Sequence, residues 1–132
     1  MISLELPHHK LTMNKSNFFS GQPIFSQLIK FIPRSCANKA VLELNSDYYC
    51  KKFDTWHHLT TMLYTCYQHC TSLREAVSGM AACQGRLQSA GMIHLPARST
   101  LAEANMRRSY EVFEQIFLSL YNLHHHFLTD SR

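Results

Sequence analysis

Apolar residues recur at helical spacing along most of the chain, and no stretch alternates apolar and polar positions as a half-buried strand would. Over residues 23–32, Ile24, Phe25, Leu28, Ile29 and Ile32 share one helical face, with Pro23 at the opening and Pro33 as the stop. Ala37, Ala40, Val41 and Leu44 mark a second helix that ends at the turn-prone Asn45-Ser46-Asp47. Asp54 or Thr55 caps a third, in which Trp56, Leu59, Leu63, Cys66, Tyr67 and Cys70 form the expected centre of the core. Ser72 and Glu75 make a capping box for a fourth, running to about residue 84 and burying Leu73, Ala76, Val77 and Met80, with Gly79 and Gly85 weakening its far end. Residues 85–97 read as a loop enforced by Gly91 and Pro96, with room for one helical turn at Arg86, Leu87 and Gln88. A short helix over 100–108 follows. A long closing helix then begins at Ser109 and carries Phe113, Ile116, Phe117, Leu120, Leu123 and Phe127 in one stripe. The pattern predicts an all-α, compact multi-helix bundle without internal repeats.

Composition narrows the class. The 132 residues suit one domain; hydrophobic residues make up 45% and charged residues 17%, which favours a folded core over disorder. Residues 1–12 show no periodicity and stop just before Met13, so they are expected to be a tail or start-codon extension ahead of a domain over 13–132. The formal charge of +4 permits a polyanionic partner without requiring one. Five cysteines, Cys36, Cys50, Cys66, Cys70 and Cys83, with no secretory signal before them, favour a reduced, cytoplasmic chain. The apolar runs fall well short of the roughly 20 residues that cross a bilayer, so no membrane partner is expected.

Enzymatic chemistry finds little support. Cys66, His69 and Cys70, at i, i+3 and i+4, have metal-compatible spacing, yet the two cysteines also continue an apolar stripe, and no knuckle or fourth ligand accompanies them; no metal is assigned. His57-His58 and His124-His125-His126 point in different directions on a helix and read as surface features. No nucleophile elbow, phosphate loop or dinucleotide fingerprint is present. Glu43, Asp47, Asp54, Glu75, Glu103, Glu111, Glu114 and Asp130 fall mostly at caps or on helix surfaces, so no catalytic residue and no cofactor is assigned.

The segment over 98–108 is the most suggestive. Thr100 and Glu103 form a second capping-box signature; Arg98 precedes it, and Arg107 and Arg108 close it. Such a helix can set arginines on phosphates and hydroxyls at its positive end, although Glu103 and Arg107, four apart, would also pair on any ordinary helix surface. The connector Tyr48-Tyr49-Cys50-Lys51-Lys52-Phe53 is basic and aromatic. Its rings could stack on bases, or could be buried beside solvated lysines.

Several of these residues also carry a family resemblance. With Phe25-Ser26-Gln27-Leu28, the run from Lys51-Lys52-Phe53-Asp54 through Thr55-Trp56-His57-His58-Leu59, Thr71-Ser72-Leu73-Arg74-Glu75, Arg98-Ser99-Thr100-Leu101, Ala104-Asn105, Arg107-Arg108, Tyr121 and His126-Phe127-Leu128 in consistent order, the chain resembles the N-terminal module of bacterial insertion-sequence transposases. Those enzymes have a DDE, RNase-H-like catalytic domain; the module itself is known only as a domain of unknown function. The resemblance implies a nucleoid-associated protein that recognises terminal inverted repeats. The three acidic residues and divalent metal that cut DNA would belong to a core this chain lacks, so the chain would be a fragment or truncated copy without activity of its own. Arg98, Arg107, Arg108, Lys51 and Lys52 are then expected on phosphates, with Ser99, Thr100, Glu103 and Asn105 as candidates for base edges. Ala102 and Met106 depart from the family pattern and take hydrogen-bonding groups off that face. The helix-turn-helix would be a variant, because the connection before residue 100 is longer than the usual three or four residues, by about a dozen. The alternative is an interaction module that pairs with a second copy or with intact transposase through the closing helix, where Tyr110, Phe117, Tyr121 and Phe127 widen the apolar face.

Overall fold

The periodic segments fold as helices in a computed structural model that describes residues 24–129. In chain order these are α1 (Ile24–Ile29), α2 (Arg34–Leu44), α3 (Thr55–Tyr67), α4 (Leu73–Ala82), α5 (Gln84–Leu87), a 3₁₀ turn (Gln88–Ala90), α6 (Arg98–Arg107) and α7 (Glu111–Thr129). Among the described residues there is no strand, and the class is all-α. The tail assigned to residues 1–12, its boundary at Met13, and Pro23 and Asp130 lie outside the described residues. No helix among them is long and apolar enough to cross a membrane.

Boundaries follow local chemistry. The first helix ends at Ile29, earlier than periodicity suggests. Phe31 N–H then bonds to Leu28 O at 3.1 Å and Ile32 N–H to Ile29 O at 3.0 Å, tightening the chain ahead of Pro33, which disfavours helical backbone at Ile32. Asn45 closes α2 in the left-handed conformation, φ 51°, with its N–H on Val41 O. Asp54 caps α3 by accepting from His57 N–H, and Ser72 caps α4 by accepting from Glu75 N–H. Glu75 completes its box one residue upstream of the standard position, taking Thr71 N–H at 2.7 Å and the Thr71 hydroxyl at 2.9 Å.

Helix α3 is the central element, lying against α1, α2 and α4. Its buried surface differs from the expected apolar stripe. Trp56 and Tyr64 are buried, but so are Thr55, His57, His58, Thr60 and Thr61, whereas Cys66 and Tyr67 are exposed. Threonine tolerates this position because Thr61 Oγ1 donates to His57 O at 2.7 Å, the local back-bond available to a helical hydroxyl. Tyr64 meets Phe25 edge to face at 5.6 Å. Gly79 permits that packing: a Cβ there would sit 2.8 Å from Tyr64 Oη, and α4 runs through the glycine unbroken.

The 3₁₀ turn ends at Gly91, φ 80°, where Trp56 Nε1–H donates to Ala90 O at 3.3 Å and Arg34 lies 4.2 Å over the indole. A Cβ at Gly91 would approach within 2.3 Å of the Arg34 guanidinium, a side-chain end that can shift, so the left-handed backbone angle is what selects glycine. Helix α7 lies along α2, where Ala37 and Ala40 are buried small residues, and it seats Val112 and Ile116 in the core, worth roughly 2 kcal/mol each. Beyond Ile116 the contact thins to Leu120, half-buried against the core, while Phe117, Tyr121, Phe127 and Leu128 are exposed. Helix α6 packs on α4 and buries Leu101 and Ala104.

Candidate nucleic-acid interface

The connector between α2 and α3 is held from behind by a polar cluster that draws on three segments. Asp47 Oδ1 accepts from Thr55 N–H and from the Thr55 hydroxyl, both at 2.7 Å, so the start of α3 is tied to the loop. Thr55 Oγ1 has given its proton to Asp47 and therefore receives one from Ser46 Oγ at 2.6 Å. Arg108, just past the end of α6, turns its guanidinium into this cluster. Nη2 donates to Asp47 Oδ1 at 3.3 Å, Phe53 O at 3.2 Å and Cys50 Sγ at 3.2 Å, and Nη1 lies 3.0 Å from His58 Nδ1.

That last contact fixes a protonation state. A guanidinium only donates, so His58 Nδ1 accepts, and the ring proton sits on Nε2, which donates to Asn105 Oδ1 at 2.6 Å. His58 is 2% exposed. Burial pushes its pKa below the ordinary value and the Arg108 charge pushes the same way, against the opposing pull of the Asn105 hydrogen bond. His57, its neighbour, is also buried; its Nδ1–H donates to Asp54 Oδ1 at 2.7 Å. Burial alone would raise Asp54, but the hydrogen bonds from the His57 ring and backbone outweigh it and hold the carboxyl below its usual range. The surface reading of His57-His58 is thus corrected: both rings are interior, His57 anchored locally by Asp54 and His58 by Asn105 and Arg108, distant in sequence.

Outside this cluster lies a groove of about 390 Å³ between the connector and α6, lined among others by Tyr49, Lys51, Lys52, Thr100, Glu103 and Arg107. Lys51 and Lys52 are exposed. Arg107 pairs with Glu103 at 3.4 Å on the helix surface, the ordinary i, i+4 arrangement. Six of the nine residues expected at a DNA face, Lys51, Lys52, Thr100, Glu103, Arg107 and Arg108, therefore border one groove, while Arg98 and Ser99 stand exposed at the start of α6.

Three expectations change. The Thr100–Glu103 capping box does not form: α6 begins at Arg98 with Ala97 as its N-cap, directly after Pro96, which places Thr100 inside the first turn and turns Glu103 to Arg107. Arg108 is not a phosphate ligand in this conformation, because its side chain is 5% exposed and both Nη groups are turned to the cluster; Asn105 stays exposed on α6, with its Oδ1 taken by His58. The Cys66, His69, Cys70 arc is also broken, since α3 stops at Tyr67 and His69 takes a left-handed φ of 54°. Among the described residues no three His, Cys, Asp or Glu side chains gather to hold a metal ion.

Sequence reasoning missed the cluster of Asp47, His58, Asn105 and Arg108. The one available signal was the resemblance, whose landmarks already included His58, Asn105 and Arg108.

These features define a small all-α domain with a basic groove backed by a buried polar cluster. Residues 20–93 match the family model described as a domain of unknown function, DUF4372, and the chain belongs to that family. Asp47, Lys51, Lys52 and His58 fall inside the match; α6 and α7 follow it. No curated protein and no solved structure matches the chain.

Proposed function

We propose that this chain is the N-terminal DNA-binding module of a bacterial insertion-sequence transposase and recognises terminal inverted repeats. The observation that carries the reading is the convergence of Lys51, Lys52 and Arg107 on one groove beside the exposed start of α6. Phosphates favour such a surface, since lysines and arginines neutralise the backbone and the helix start adds a positive dipole end. The sequence resemblance supplies the class of DNA. Helices α4 and α6, which touch, stand for the variant helix-turn-helix, with α5 and the 3₁₀ turn inside the connection. In the transposases it resembles, cutting and joining, with their divalent metal, are the work of a separate catalytic core; the module proposed here binds DNA without a cofactor of its own, in the cytoplasm at the nucleoid.

Fluorescence anisotropy on duplexes ending in insertion-sequence inverted repeats, against scrambled duplexes and across a salt series, tests this. With Arg98, Lys51, Lys52 and Arg107 on about four phosphates, log affinity falls against log salt with a slope near −3.6. Binding that ignores salt, or shows no preference for inverted repeats, overturns it.

A second reading, pairing with another copy or with intact transposase, is supported by the exposed Phe117, Tyr121, Phe127 and Leu128 on the second half of α7. Light scattering decides it: a strictly monomeric chain that leaves intact transposase unaffected removes this reading.

A further inference from the structure

We infer that Tyr48 and Tyr49 form a stacking platform for an unpaired base of a nucleic acid whose backbone lies in the basic groove; the inference rests on the DNA-binding reading above. The two rings are not buried beside solvated lysines, the commoner fate of such a connector. Tyr48 is 62% and Tyr49 83% exposed. Their centroids lie 4.1 Å apart with the ring planes tilted by 59°, and the Tyr48 hydroxyl donates to that of Tyr49 at 3.2 Å, so the two rings brace each other and leave outer faces open.

The pair stands on a fixed base. Tyr49 holds a left-handed φ of 62°, uncommon for a bulky side chain, and Cys50 N–H bonds back to Asp47 O at 2.9 Å. Asp47 and Cys50 on either side are both gripped by Arg108. The rings are therefore presented to solvent by a loop whose conformation is already set, which lowers the ordering cost of binding.

Charge complementarity names the occupant. Tyr49 lines the groove that holds Lys51, Lys52 and Arg107, and Tyr48 lines a second groove of about 290 Å³ that shares Arg107 with the first. A protein surface would leave three cations facing it to be satisfied. A nucleic acid offers phosphates to the cations and a flat π-face to the rings. Paired bases inside a duplex hide their faces, so the ligand is an unpaired base, at an overhang or a frayed end.

The test compares a blunt duplex with the same duplex extended by a short single-stranded overhang, a fluorescent base analogue occupying the first unpaired position. The expected result is tighter binding of the overhang by roughly tenfold, with quenching of the analogue. Tyr49→Gly, which suits the left-handed backbone and removes the ring, abolishes both the preference and the quench, while Tyr49→Trp keeps them. Equal affinity for the two duplexes, or an unchanged preference in Tyr49→Gly, overturns the platform while leaving DNA binding in place. Failure to bind either duplex overturns both readings. A change of oligomeric state in Tyr49→Gly without a change in DNA affinity also overturns it, making the pair a protein contact.

Discussion

Arg107 and Arg108 are adjacent in sequence, carry the same charge and do opposite things. Arg107 is 68% exposed and paired only with Glu103 on the helix surface; Arg108 is 5% exposed and holds Asp47, Cys50, Phe53 and His58 together. Arg107 ends α6 and Arg108 leaves it in extended backbone, φ −77° and ψ 128°, and that one step separates an arginine that can meet a ligand from one that builds the surface the ligand would meet. The groove is therefore two-layered. Its outer wall of Lys51, Lys52 and Arg107 supplies charge, and its inner cluster fixes where that charge stands.

The sharpest way to break this comparison is to truncate each arginine. Arg108→Ala strips the partly exposed Asp47 of its guanidinium, leaves His58 Nδ1 and Phe53 O without that donor and frees the connector, and should cost about 3 kcal/mol, the low end for losing one partner of a buried ion pair. Arg107→Ala should change stability by no more than about 0.5 kcal/mol, the range of an exposed pair. Urea unfolding measures both. Equal losses would mean that the two layers are not distinct.

Proton uptake probes the inner layer next. The unfolded chain holds a proton on His58 up to about pH 6.5, whereas the folded chain, with the ring buried against Arg108, gives it up at lower pH. Between those two values the unfolded state binds more protons. Stability is thus fully present above about pH 6.5 and declines as pH falls toward the folded value, with a slope of at most ~1.4 kcal/mol per pH unit from this residue. The groups facing the ring are Arg108, Asn105, Phe53 and Phe113. His58→Gln should flatten this component in unfolding curves taken across pH; a wild-type slope that survives unchanged in the variant would remove His58 from the account.

The same inner layer marks where reading the sequence succeeds and fails. Helix starts and stops were legible wherever a single residue supplies the signal: Asp54 and Ser72 accept from amides three residues on, Asn45 turns left-handed, and Gly91 closes the 3₁₀ turn. The buried face of α3 was not, because Thr55, His57, His58, Thr60 and Thr61 look like surface residues until the helices packed around them are known. The partners of His58 lie 47 and 50 residues away. At the candidate site, the basic residues could be named from the chain alone, but not their division into outer and inner, which depends on how α6 is rotated against α3. Thr100 failed as a cap for a local reason: Pro96 already breaks the chain, and the helix begins directly after Ala97.

The outer layer is tested by charge removal. Lys51→Ala with Lys52→Ala should leave stability within about 0.5 kcal/mol, since both side chains are exposed. The same double change should make the salt slope of DNA binding shallower by about 1.8, the share of two phosphates. A loss of affinity accompanied by unfolding would instead assign the lysines to the fold.

The smallest expected effect sharpens the comparison most. Four cations and one carboxylate border the groove, a net of +3 from +4 and −1, and Glu103→Gln raises it to +4. Stability should move by less than about 0.5 kcal/mol, because the Glu103–Arg107 pair is exposed on both sides. If Glu103 merely offsets Arg107, the variant binds every duplex more tightly, and the gain fades with salt. If the carboxylate instead accepts from a cytosine amino group in the major groove, the variant loses affinity for the preferred sequence by roughly 1–3 kcal/mol and gains on others. Anisotropy on the inverted-repeat duplex and its scrambled counterpart separates the two. Uniform tightening would make the outer layer an electrostatic guide, whereas selective weakening would make Glu103 a reader of sequence on the face that Arg108 holds in place.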